Sequence, residues 1–181
     1  LFSEWSPAAS IYTGYCDPAP SSVDGSGITN VNFGGVDNTT GAEDNNYGDY
    51  TDLVGTVQQS TVATVNITYE TGYTYGTKIW VDLNNDFDFD DAGELVYTGL
   101  SLGDNPTTLV ATFPVGTMPL GQHRMRVSGT DTNDGASSPC YTGSYGTFED
   151  YTLQIDPPPS CIPPIDLLLT GLTNTSCDFS W

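Results

Sequence analysis

An all-β fold, built as an antiparallel β-sandwich, is what the amino-acid sequence predicts, on three observations. Segments of alternating apolar and polar residues recur along the chain, the mark of half-buried strands. Clusters of Gly, Pro, Asn, Asp and Thr separate them at short intervals, as turns do. The composition is rich in turn and strand formers, with 20 Gly, 12 Pro and 11 Tyr, and poor in helix formers, with only 3 Lys+Arg. Aromatic residues make up 12% of the 181 residues, which points to one packed domain with extra segments and not to an acidic disordered tail.

Charge narrows the partners. With 23 Asp+Glu against 3 Lys+Arg, the formal net charge is −20, so nucleic acid and anionic membrane surfaces are excluded as partners. No apolar run is long enough for membrane insertion, and no signal peptide is visible. The chain begins and ends in mid-pattern and reads as a piece of a larger protein.

Residues 1–14 read as a linker or the end of a preceding domain, and residues 15–156 as the sandwich. Within it, Ile28, Val31 and Phe33 predict a short strand ending at Gly34-Gly35. Asp37 to Tyr47 reads as a polar loop, and Tyr47 to Asp52 as a polar turn with Asp49 and Asp52 as spare oxygen donors. Thr61 to Glu70 is a clean strand, with Val65, Ile67 and Tyr69 on one face and Thr64, Asn66 and Thr68 on the other. After a turn at Gly72 to Gly76, Ile79, Val81 and Leu83 alternate with Lys78, Trp80 and Asp82. Glu94 to Tyr97 reads as the returning strand. Leu109, Ala111 and Phe113 mark the next one, broken by Pro114 and Gly116. Then His123, Met125 and Val127 share one face of a strand, and Arg124 and Arg126 the other. Tyr151, Leu153 and Ile155 point inward from the closing strand. Residues 157–160 form a proline-stiffened linker. Residues 161–181 read as the first strands of a second β-sandwich, with Ile165, Leu167 and Leu169 on one strand and Cys177, Phe179 and Trp181 on the next.

The stretch from Trp80 to Glu94 carries the strongest chemical signal. Asp82, Asn84, Asp86, Asp88 and Asp90 fall on alternate residues, with Asp91 and Glu94 close behind. Two carboxylates about 4 Å apart repel by roughly 1 kcal/mol even in water. A loop that turns its oxygens around a hard dication converts that repulsion into binding. Calcium, which takes oxygen ligands in a flexible geometry, is the expected ion. The first half follows the EF-hand spacing, but Phe87 stands where the turn glycine belongs and strands, not helices, flank the loop.

The remaining polar residues point to structure. Arg124 and Arg126 are two of the three bases in a strongly acidic chain, and the expectation is that one of them pairs with Glu149 or Asp150 across neighbouring strands. Glu149 and Asp150 are adjacent, so on a strand they face opposite sides, which argues against a two-carboxylate hydrolytic site. No G-x-S-x-G is present, and the single histidine, His123, sits on an apolar face as a packed residue. No catalytic residue is predicted. Tyr47, Tyr50, Tyr141 and Tyr145 are candidates for a sugar-stacking platform. The four cysteines, Cys16, Cys140, Cys161 and Cys177, form no C-x-x-C pair, which disfavours zinc. Their even number fits disulfides in an oxidising setting, with all three connectivities open.

Five motifs occur here in a familiar order: Tyr15-Cys16, Tyr47-Gly48-Asp49-Tyr50, Trp80 to Asp86, Arg124-Met125-Arg126-Val127 and Gly146-Thr147-Phe148-Glu149-Asp150-Tyr151. Together they resemble the GEVED module over roughly Tyr15 to Ile155. Thr147-Phe148 replaces the Glu-Val of its naming motif, and Phe87 replaces the usual glycine of its acidic loop. The tail from Cys161 resembles the start of a fibronectin type III domain, with Trp181 as its strand-B tryptophan. The resemblance implies a jelly-roll or Ig-like β-sandwich of large secreted bacterial proteins, often exported by type IX secretion in Bacteroidetes. It also implies disulfides Cys16–Cys140 and Cys161–Cys177. A bacterial source makes the sequons at Asn38, Asn66 and Asn174 accidental. The expected function is a non-catalytic, calcium-stabilised accessory or adhesion module of a secreted or cell-surface protein. Its partners would be other domains of the same chain, a surface polysaccharide or a cell-surface protein. The alternative is a carbohydrate-binding module of a secreted glycoside hydrolase or protease.

Overall fold

The computed structural model describes residues 14–22, 27–41 and 46–160, together with the backbone of two strands beyond them. Nine strands build the main body: β1 (Ile28–Phe33), β2 (Val36–Thr39), β3 (Tyr47–Gln58), β4 (Val62–Tyr69), β5 (Gly76–Val81), β6 (Leu95–Leu100), β7 (Thr107–Pro114), β8 (Gly121–Thr130) and β9 (Gly146–Asp156). They form a four-stranded sheet in the order β2-β1-β4-β7 and a five-stranded sheet in the order β3-β9-β8-β5-β6.

The two sheets pack as a β-sandwich. The alternating residues of β4 and β7 supply Val65, Ile67, Tyr69, Ala111 and Phe113 from one side. Ile79, Val81, Met125, Val127, Tyr151, Leu153 and Ile155 meet them from the other. In β1, Ile28 and Val31 both point inward despite their odd spacing, because a bulge between Ile28 and Asn30 shifts the register.

Three expectations need correction. Asp37 to Thr39 belong to strand β2, paired with β1, and not to a polar loop. The sandwich is not wholly antiparallel, because β3 runs parallel to β9, from Tyr47 opposite Phe148 to Gln58 opposite Asp156. The stretch from Tyr47 to Asp52 is therefore strand and not a polar turn. Its Gly, Asp and Thr residues look turn-like alone, and a bulge between Tyr50 and Val54 is where that composition is absorbed.

The five-stranded sheet is also covered on its outer face. Trp80, Phe89, Ala136 and Phe148 form a second buried cluster there, with Tyr15, Tyr47 and Tyr141 packed against it. Strands β5, β8 and β9 are thus buried on both sides. The segment from Ala19 to Ser22 pairs with the stretch from Tyr141 to Gly146, and Cys16 is bonded to Cys140.

Beyond the sandwich, β10 (Leu168–Leu172) and β11 (Cys177–Ser180) pair antiparallel. Cys161, Ile165, Leu167 and Trp181 lie outside the described residues, as do Asn174, residues 1–13 of the segment expected as a linker (1–14) and the side chain of Cys177.

Candidate functional site

The geometry of charge is dictated by β8 and β9, which pair with Arg126 opposite Asp150 and Arg124 opposite Thr152. Arg126 grips Asp150 with two bonds: its Nε donates to Oδ1 at 2.7 Å and its Nη2 to Oδ2 at 2.7 Å. Such a fork is the strongest geometry for this pair. The Arg126 Nη1 donates to the Pro139 carbonyl at 2.9 Å and lies 3.5 Å from the Cys16 sulfur. Asp150 Oδ2 also accepts from Arg124 Nη1 at 2.9 Å and from the Tyr47 hydroxyl at 3.0 Å. The guanidinium of Arg126 stacks over Phe89 at 4.9 Å, and that of Arg124 over Tyr15 at 4.3 Å. The outer face of the sheet therefore holds a saturated charge lock against the disulfide. Burial and the Asp150 carboxylate raise the Tyr47 hydroxyl's pKa. Arg124's pKa is also raised: desolvation works to lower it, but Asp150 outweighs that effect.

Glu149, one residue away, faces the sandwich interior. It accepts from the Tyr151 hydroxyl at 2.6 Å and from Thr40 Oγ1 at 2.8 Å, while Asn38 Nδ2 donates to the Tyr151 oxygen at 3.0 Å. Neither arginine pairs with it. Desolvation pushes its carboxyl up to about 7, and the two hydroxyl donors only partly oppose this. Thr147, in the position of the naming motif's first Glu, holds the one buried side-chain polar atom without a partner among the described residues.

The acidic loop sits beside the lock. Asp82 is fully buried; its Oδ1 accepts from the Asn85 amide at 2.6 Å, and its Oδ2 from the Phe87 amide at 3.1 Å and the Tyr15 hydroxyl at 2.6 Å. Glu94 spends both oxygens on the backbone, on Leu83 at 2.9 Å and Asp91 at 3.2 Å. Burial raises its pKa while those amides oppose the rise. Asp86 and Asp88 each accept from the amide two residues on. Asn84 accepts from the Asp86 amide at 3.0 Å, and its Nδ2 donates to Asp86 Oδ2 at 3.0 Å and Asp91 Oδ2 at 2.6 Å. Phe87 adopts φ 75°. This is the left-handed conformation that the missing glycine would take freely, and one that a bulky residue holds only when its surroundings insist. Tyr15 stacks edge-on against the Phe87 ring at 5.6 Å.

The donor set is wholly hard oxygen, which fits a dication of the calcium type. Two carboxylates, Asp86 and Asp91, already converge on one point, the Asn84 amide nitrogen. Asp88 and Asp90 line a cavity with Tyr15, Phe87 and Phe89, and Asp82 and Glu94 anchor the loop backbone. Among the described residues, no three Asp, Glu, His or Cys side chains gather in metal-binding geometry. His123 is not a ligand here, since its ring nitrogens lie 2.9 and 3.0 Å from the carbonyls of Asp82 and Pro119.

The four tyrosines do not form one platform. Tyr47 and Tyr141 pack on the outer cluster. Tyr50 stacks on Tyr151 at 5.7 Å on the core side. Tyr145 lines a separate cavity with Tyr73. Tyr15 opens the predicted sandwich and the first motif of the resemblance, but nothing local shows that its hydroxyl reaches Asp82.

Fold and site together define a disulfide-bonded β-sandwich module whose buried charges are engaged by its own side chains. Residues 76–154 match the family model of the GEVED domain, so the chain is similar to that family from β5 through most of β9. The matched span contains the acidic loop, both arginines and Glu149-Asp150. No curated protein matches the chain.

Proposed function

We propose that this chain is a non-catalytic accessory or adhesion module of a large secreted or cell-surface bacterial protein, a type IX secretion cargo stabilised by calcium and followed by a fibronectin type III-like domain. The observation that carries the calcium reading is the convergence of Asp86 and Asp91 on the Asn84 amide nitrogen. A bound dication would take that point, with Asn84 turning its carbonyl oxygen inward and Asp88 and Asp90 completing the shell. It would neutralise part of the −20 charge and fix the β5–β6 connection. The non-catalytic reading is supported by Asp150, whose carboxylate is consumed by two guanidiniums and a phenol, and by Glu149, which is sealed inside the sandwich. The Cys16–Cys140 disulfide belongs to an oxidising compartment. No helix among the described residues is long and apolar enough to cross a membrane.

The test is a thermal melt of the whole chain in excess calcium, excess magnesium and excess chelator. Ligand at a hundred times Kd adds about 2.7 kcal/mol, a rise of roughly 5–10 °C at this size. The expected result is a calcium-specific rise that Asp86→Ala and Asp91→Ala abolish. Equal melting points in calcium and chelator would refute the metal.

A further inference from the structure

The end of the sandwich from which the β8–β9 connection leaves and to which it returns carries a cleft that the reading above does not use. Gly76 of β5 pairs with Thr130 of β8, and Thr130 pairs with Gly146 of β9. These form the last row of three adjacent strands. One residue beyond that row lie Tyr75, Asp131 and Tyr145. Strands are about 4.8 Å apart, so Tyr75 and Tyr145 flank Asp131 across a span of roughly 10 Å. Tyr73 and Thr74, from the turn before β5, complete the lining of a cavity of about 340 Å³. That is within the size range of small-molecule sites, and loops at the end of a rigid sandwich are where binding residues collect.

The lining has a consistent chemistry. Tyr75 is buried and stacks on Tyr69 at 5.3 Å with an interplanar angle of 18°, so one wall is rigid. Tyr73 is 64% exposed, an aromatic ring left in water at the rim. Among the described residues, no protein hydrogen bond engages the side-chain oxygens of Tyr73, Tyr145 or Asp131. Tyrosine gives a flat apolar face with a polar tip at little entropic cost. Such rings beside a carboxylate and a threonine hydroxyl suit a ligand with an apolar ring face and a hydroxyl edge. An acidic ligand is excluded by charge. The net charge is −20, Arg124 and Arg126 are committed to Asp150, and Lys78 donates to the Ala136 carbonyl at 2.8 Å.

We infer that this cleft binds a neutral glycan, with Tyr73 and Tyr145 stacking on hexose rings and Asp131 accepting from their hydroxyls. The inference rests on the adhesion-module reading and names its ligand class. It is independent of the calcium loop, so the two fail separately.

Affinity electrophoresis of the whole chain tests it, in gels containing a neutral β-glucan, galactomannan, xylan or starch, with alginate and polygalacturonate as acidic counterparts and poly-L-lysine as a cationic one. The expected result is retardation in at least one neutral gel and none in the acidic gels. Tyr73→Ala and Tyr145→Ala should each weaken it by about tenfold or more, as truncation of an aromatic anchor does. Asp131→Asn should weaken it less. Melting temperatures measured alongside should stay at the wild-type value for Tyr73→Ala, whose ring is largely in solvent; if Tyr145→Ala does not fold, Tyr73→Ala alone decides. No retardation in any neutral gel would overturn the proposal, as would retardation that survives the tyrosine substitutions. Retardation confined to poly-L-lysine, which the net charge of −20 would produce without the cleft, would overturn the proposal, as would binding confined to the acidic gels.

Discussion

Glu149 and Asp150 are neighbours on one strand and almost equally buried, at 2% and 0% exposed, yet they live in opposite electrostatic worlds. Asp150 faces outward into two guanidiniums and a phenol, under the second aromatic cluster. Glu149 faces inward, where Tyr151 and Thr40 offer only neutral hydroxyls. Burial sets the size of the desolvation penalty, and the partner decides whether it is repaid. The same backbone thus carries a satisfied ion on one face and, on the other, a group for which ionisation is costly.

Removing Arg126 should give the largest effect. Arg126→Ala leaves Asp150 buried with half its cationic partners, and breaking such a pair costs about 3–5 kcal/mol. Urea denaturation would measure it, and a loss below about 1 kcal/mol would mean that Asp150 behaves like a surface ion and that the contrast between the two faces is false.

The inner face should respond in the opposite direction. Because the folded carboxyl of Glu149 titrates at about 7, above its ordinary 4.5, the native state holds its proton more tightly than the unfolded chain does. Glu149's contribution is therefore most favourable below about 4.5, declines as pH rises through about 7, and levels off above that. Glu149→Gln should be more stable than wild type at pH 8 by up to about 3 kcal/mol, with the gain vanishing near pH 4.5. Denaturation of both proteins across this range checks the sign. A stability difference that does not vary with pH would place the ionisation elsewhere.

The smallest effect sharpens the comparison. Tyr47→Phe deletes one of the donors to Asp150 Oδ2 and leaves both guanidiniums, so about 1 kcal/mol should be lost. Tyr151→Phe, the inner counterpart, should push the Glu149 titration still higher, because it removes the shorter of that carboxylate's two hydroxyl bonds.

How much of this was legible in the sequence follows from the range of each cause. The alternation in β4 and in the second half of β9, from Tyr151 to Asp156, shows which residues face the core, because one buried face leaves a period of two. The alternation in β8 shows that His123, Met125 and Val127 share a face, but not that Arg126, Ser128 and Thr130 on the other face are buried too. That second burial comes from Phe89, Phe148 and the segment around Tyr15, far apart in sequence. Strand β3 was hidden for a related reason. Its partner β9 is about a hundred residues away and runs parallel, so no local hairpin signal marks it. In the acidic loop the spacing of oxygens was readable. What local pattern could not show is that Asp82 and Glu94 would be spent on backbone amides, leaving Asn84, Asp86 and Asp91 to meet.

The disulfide also has a mechanical side. Cys16 and Cys140 stand 124 positions apart, and their bond closes into a covalent loop a length of chain that would extend by roughly 400 Å if pulled straight. A tension applied between Cys16 and Asp156 bypasses that length and runs through the sulfur–sulfur bond into β9 alone. Arg126 lies inside the shielded loop and Asp150 on the strand that bears the load. Stretching therefore loads β9 in shear against its backbone ladders with β8 and β3, and the bidentate pair adds a side-chain latch to them.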